Sequence, residues 1–65
     1  SHDAQRRFEA LIATLDRDQR ELIVLRFVVG LSTRQIAAIV GKSDGAIRMQ
    51  LSRSLRALKE TTRVE

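Results

Sequence analysis

The chain has 65 residues, with 12 Lys and Arg against 8 Asp and Glu for a formal net charge of +4, and it contains no Cys, Pro or Trp. A chain this short makes one domain with a small core, burying about 60% of its unfolded surface. Without Cys there is no disulfide and no cysteine metal site, and the single His, His2, has no neighbour in sequence with which to build a metal centre. Apolar runs such as Ile36 to Val40 fall far below the roughly 20 residues of a membrane helix, and no signal-peptide pattern opens the chain, so a soluble cytoplasmic protein is expected. Ser1-His2 reads as the remnant of a cleaved expression tag, leaving a domain over 3–59 and a tail over 60–65.

Strong helix formers and only three glycines predict an all-α fold, a compact four-helix domain. Asp3 caps the first predicted helix, in which Phe8, Leu11, Ile12 and Leu15 share a face. Asp16, with Gln19 three residues on, opens the second in a capping-box pattern. Leu22, Ile23, Leu25 and Phe27 follow over a wide arc, which predicts the most buried helix, ending near Gly30. Ser32 and Gln35 repeat the capping box ahead of Ile36, Ala37, Ile39 and Val40, and Gly41 ends that short helix by taking a positive φ. Ser43 caps the last helix, whose predicted apolar stripe is Ile47, Leu51, Leu55 and Leu58, with Asp44, Arg48, Ser52, Arg53 and Arg56 opposite. From Glu60 no stripe continues, which predicts fraying.

Charge is unevenly distributed along this framework. Residues 1–29 carry five Arg against five acids and 59–65 also cancel, so the whole excess falls within 30–58. That segment is two helices joined by only Gly41, Lys42 and Ser43, with small Ala37 and Ala38 at the crossing and cations on the second helix. This is the layout of a helix-turn-helix, and its charge suits a polyanionic partner.

In order and spacing, Leu15-Asp16, Gln19-Arg20-Glu21, Val24-Leu25-Arg26-Phe27, Gly30-Leu31-Ser32, Gln35-Ile36-Ala37, Gly41-Lys42-Ser43, Gly45-Ala46-Ile47-Arg48 and Leu51-Ser52-Arg53 resemble region 4 of a bacterial RNA polymerase sigma factor. The likeness is greatest to the compact version of the extracytoplasmic-function group. The resemblance covers nearly the whole chain. It implies a winged-helix-like, sigma region 4 type of domain that reads the minus-35 promoter element in the major groove and docks on the β flap of the polymerase core. Such factors also have a region 2 for the minus-10 element, absent from this sequence, so the resemblance implies a fragment.

The site residues follow from the residues and the resemblance together. Arg48, in the second turn of the last helix and opposite its apolar stripe, is the first choice for base contact, because an Arg fork grips guanine O6 and N7. Met49, Ser52 and Arg53 join it by resemblance. Ser52, Met49 and Gln50 depart from side chains common in the family, so base preference does not transfer from a relative. Ser32, Arg34, Lys42 and Ser43 cluster at two helix N-termini, where N–H groups and hydroxyls favour anions, and are assigned to phosphate. Gly45, which costs helix stability, is assigned to close approach of the DNA backbone, and Arg56 to phosphate at the far edge. Asp44 suits the helix dipole. Arg26 is read as structural, its stem on the core and its head pairing with Asp16, Asp18 or Glu21. Phe8, Leu11 and Ile12 are read as core in preference to a partner surface.

No catalytic residue, metal or cofactor is expected: there is no internal His, phosphate loop or acidic pair in a pocket. Two other readings compete with a monomeric promoter reader. One is the DNA-binding output domain of a response-regulator-type activator, against which the Asp16 to Phe27 motif weighs. The other is a region 4 domain acting mainly as an interaction module for an anti-sigma factor or activator.

Overall fold

The structure, a computed structural model, describes residues 2–62. Four helices form, α1 (His2–Ile12), α2 (Arg17–Ile23), α3 (Thr33–Val40) and α4 (Asp44–Thr62), with α2 running straight into a π-helical stretch, Val24–Val29. Among the described residues there is no strand, as the composition predicts.

The caps were the most legible part of this layout. Asp16 Oδ1 accepts from Gln19 N at 2.9 Å while Gln19 Oε1 accepts from Asp16 N at 3.4 Å. Ser32 and Gln35 make the same reciprocal pair at 3.1 and 2.8 Å, and Ser43 Oγ accepts from Ala46 N at 3.1 Å at the start of α4. Each side chain satisfies an N–H that the first turn leaves without a partner, which pins the helix start to that residue. Gly30 and Gly41 stop the preceding segments at φ of 89° and 75°, the left-handed conformation that a Cβ disfavours. At Gly41 the turn closes tightly, because Gly41 N and Lys42 N both donate to the Ala37 carbonyl, at 2.9 and 3.0 Å.

The ends of the other predicted elements move. Asp3 is not the cap of α1 but lies inside its first turn, where a carboxylate still favours the positive end of the helix. Leu15 lies beyond α1, in the turn where Leu15 N donates to Ile12 O, yet it is buried. At the other end, α4 continues past Glu60 to Thr62; Ser1 of the assigned tag remnant and 63–65 of the assigned tail lie outside the described residues.

The largest departure is the second helix. Its α-helical part ends at Ile23, and the following turns are wider, with more residues per turn than an α-helix. The four-residue step from Ile23 to Phe27 then no longer returns to the same face. Leu22 and Ile23 are buried, but Phe27, Val28 and Val29 are 53–62% exposed, so the arc expected to be the most buried is split between core and surface. Arg26 does not pair with Asp16, Asp18 or Glu21. Its Nη1 donates to the Leu31 carbonyl at 3.2 Å and its guanidinium lies over the Phe27 ring, 5.6 Å from the centroid, which ties the π-helical stretch to the lead-in of α3.

The core gathers Ile12 from α1, Leu15 from the turn after it, Leu22 and Ile23 from α2, Ile36 and Ala37 from α3, and Ile47 and Leu51 from α4, with Phe8 and Leu25 packed on its edge. Ile12 and Phe8 therefore serve the core, in line with the sequence reading. Ile36 and Ile47 are wholly buried and stand on the two helices flanking the Gly41 turn, so their packing sets how α3 crosses α4. The stripe on α4 differs from the predicted one by one position. Ser54 is fully buried where Leu55 was expected, because 47, 51, 54 and 58 stay within a narrow arc at 100° per residue while 55 falls on its flank, 45% exposed. Ser54 resolves its own polarity by donating to Gln50 O at 2.8 Å. On α3, Ile39 and Val40 are exposed too, leaving Ile36 and Ala37 as its buried pair.

Candidate nucleic-acid interface

With the core on one side of α4, the opposite arc is fixed by helix geometry. Gly45, Met49, Ser52, Arg53 and Arg56 lie on that arc with Arg48 at its edge, and all six are exposed. A helix about 10–12 Å across suits a major groove about 12 Å wide, and α4 has 19 residues, long enough to lie along one. The sequence-assigned base-contact residues are thus brought together on one face.

Those assigned to phosphate lie at the edges of this face. Ser32 and Arg34 stand at the start of α3, and Lys42 and Ser43 in the turn, all exposed. The Ser32 and Ser43 hydroxyl oxygens accept backbone N–H groups as caps, which leaves each O–H proton able to donate outward. Capping and anion binding are therefore compatible in the same side chain. Gly45 sits in the first turn of α4, and a Cβ built there would meet nothing within 4 Å, so no packing inside the chain calls for glycine.

Two contacts give the face an internal order. Arg53 Nη2 lies 3.4 Å from Met49 Sδ, one turn back. Arg48 Nε lies 3.2 Å from Asp44 Oδ2, and the other oxygen of that carboxylate accepts from the Thr33 hydroxyl, at the start of α3. The i, i+4 spacing of Asp44 and Arg48 was visible in the sequence. Thr33 was missed, since nothing local marks it as the residue that α3 turns toward α4. Among the described residues no group of His, Cys, Asp or Glu could hold a metal ion, and no helix is long and apolar enough to cross a membrane.

Four helices around one core, with a short capped helix, a glycine turn and a cation-bearing helix whose outer face is exposed, define a helix-turn-helix domain. The description "Sigma-70, region 4" matches residues 5–58, from α1 to nearly the end of α4. The chain therefore belongs to the sigma-70 region 4 family. It is 43% identical over 58 residues to the ECF RNA polymerase sigma factor SigD of Mycobacterium tuberculosis, covering 89% of this chain and 27% of that protein. It is also 43% identical over 49 residues to the ECF RNA polymerase sigma factor ShbA of Streptomyces griseus, and 38% over 47 residues to BldN of Streptomyces coelicolor, another ECF RNA polymerase sigma factor. Those matches cover 75% and 72% of this chain and 26% and 18% of the two relatives. The chain thus spans about a quarter or less of the length of these relatives.

Proposed function

We propose that this chain is the minus-35-reading part of an ECF-type sigma factor, a cytoplasmic binding module without chemistry of its own. In this reading it acts as a monomer, with α4 in the major groove of promoter DNA while the domain docks on RNA polymerase core through the β flap. Arg48, Met49, Ser52 and Arg53 meet base edges. Ser32, Arg34, Lys42, Ser43 and Arg56 hold phosphates, and Gly45 admits the DNA backbone. The observation that carries this reading is the exposed side of α4, which presents Arg48, Arg53 and Arg56 away from the buried stripe in a member of the region 4 family. A response-regulator output domain lacks that support, since the relatives named above are sigma factors.

Fluorescence anisotropy with a selected minus-35 duplex pool and scrambled duplex, across a salt series, tests it. Four to six phosphate contacts give an expected slope of log affinity against log salt of about −4 to −5, together with a preference for the selected pool. Binding without preference, or none, transfers the function to protein docking. The apolar Phe27, Val28 and Val29 exposed on the π-helical stretch support that second reading, with polymerase, an anti-sigma factor or an activator as the partner.

Gly45 separates fold from function. Gly45→Ala is expected to stabilise the isolated domain by about 0.5–1 kcal/mol, because Ala reduces the freedom of the unfolded chain and meets no obstruction in α4. A higher melting temperature accompanied by weaker DNA binding places the DNA backbone against this turn; a higher melting temperature with unchanged binding removes Gly45 from the interface.

A further inference from the structure

Of the five cations between residues 30 and 58, only Arg48 is held by a carboxylate among the described residues; Arg34, Lys42, Arg53 and Arg56 make no ion pair there. The carboxylate that holds it is not needed to cap α4, since Ser43 already accepts the Ala46 N–H. Asp44 instead spans two helices, with one oxygen on the Thr33 hydroxyl of α3 and the other on Arg48 of α4. It is also the more buried partner, its side chain 32% exposed against 69% for Arg48, so the carboxylate is the fixed end of the pair and the guanidinium the presented end.

We infer that Asp44 is a specificity-determining positioning residue for Arg48, an inference that rests on the base-reading role proposed above. Two physical effects follow from the geometry. The contact is made at Nε, which leaves the donors of both Nη groups available for a guanine edge and limits the orientations the side chain samples. The carboxylate also offsets the charge of Arg48 and repels phosphate, so Arg48 contributes little to binding in which no base is read. A phosphate clamp gains from full charge, whereas a base reader gains from restraint, which accounts for a pair at Arg48 and none at Arg34, Lys42 and Arg56; Arg53, the other proposed base reader, rests on Met49 Sδ instead. As a stabilising contact the pair is minor, since exposed i, i+4 pairs carry little.

The test is Asp44→Asn, which retains an oxygen for the Thr33 hydroxyl and removes the charge, measured beside Arg48→Ala and the double variant on selected and scrambled duplexes across a salt series. Asp44→Asn is expected to strengthen binding to scrambled duplex and to steepen the salt slope by about one unit as Arg48 turns to phosphate. Preference for the selected duplex is expected to shrink about two- to fivefold, the range an exposed pair carries. In the Arg48→Ala background the same change should leave preference unaltered. Thr33→Val, which removes the strut without altering charge, should reduce preference without changing the salt slope. If Asp44→Asn strengthens both duplexes equally while Arg48→Ala still abolishes preference, the positioning inference is wrong and the base-reading role stands. If Arg48→Ala keeps full preference, the base-reading role fails and the inference falls with it.

Discussion

Arg48→Ala is expected to remove most of the discrimination between a selected minus-35 duplex and scrambled DNA, while lowering affinity for scrambled DNA only slightly. An Arg fork on a guanine edge carries about 1–3 kcal/mol of discrimination, so the preference should fall by about 5- to 150-fold at the base pair that Arg48 reads. Affinity for scrambled duplex should change little because the positive charge of Arg48 is already offset by Asp44 at 3.2 Å. Arg34→Ala and Lys42→Ala are the contrasting cases. Both residues are exposed beside helix N-termini and neither is paired with a carboxylate among the described residues. Losing either should weaken all sequences to a similar degree and make the salt slope shallower by about one unit. Anisotropy titrations of the three variants at two or more salt concentrations decide the matter. Equal losses of preference from Arg34→Ala and Arg48→Ala would contradict this division between edge and face.

How much of this was legible depended on whether the signal was local. Asp16, Ser32 and Ser43 announce their helices because a cap works over three residues, and Gly30 and Gly41 announce the stops because positive φ is a property of one residue. The outer face of α4 was legible for a similar reason: once the helix is fixed, spacing alone assigns Arg48, Ser52 and Arg53 to one side. The burial pattern was harder to read. Phe27, Val28 and Val29 look like core by composition, and only the wider turns after Ile23 and the limited size of the core leave them outside. Ser54 looks like surface, yet its place on the inner arc and its bond to the Gln50 carbonyl let a small polar side chain sit where Leu55 was expected. Arg26 was recognised as structural, but its partner, the Leu31 carbonyl, depends on how the chain turns after Gly30. Asp44 shows both cases, because its pairing with Arg48 is a spacing rule and its bond from Thr33 requires the crossing of α3 and α4.

That crossing is also a vulnerable point of the fold, and Ile47→Ala is expected to destabilise the domain by about 2–5 kcal/mol. Ile47 is wholly buried, as is Ile36 across the turn, and truncation leaves a cavity that a rigid helix pair cannot close. A chain of 65 residues has roughly 3–10 kcal/mol of total stability at the usual value per residue, so this one change removes a large share of it. Leu55→Ala provides the comparison that separates structure from sequence pattern. Both positions belong to the stripe predicted from spacing, but Leu55 is 45% exposed, and its truncation should cost less than about 1 kcal/mol. Urea unfolding followed by circular dichroism should therefore show a large fall in the midpoint for Ile47→Ala and a small one for Leu55→Ala. Similar losses at the two positions would mean that Leu55 is buried in solution and that α4 presents a different face to the core. Since the core and the proposed reading face lie on opposite sides of one helix, such a rotation would also turn Arg48 away from the groove. The urea midpoints and the Arg48→Ala titration therefore check the same orientation of α4 from its two sides.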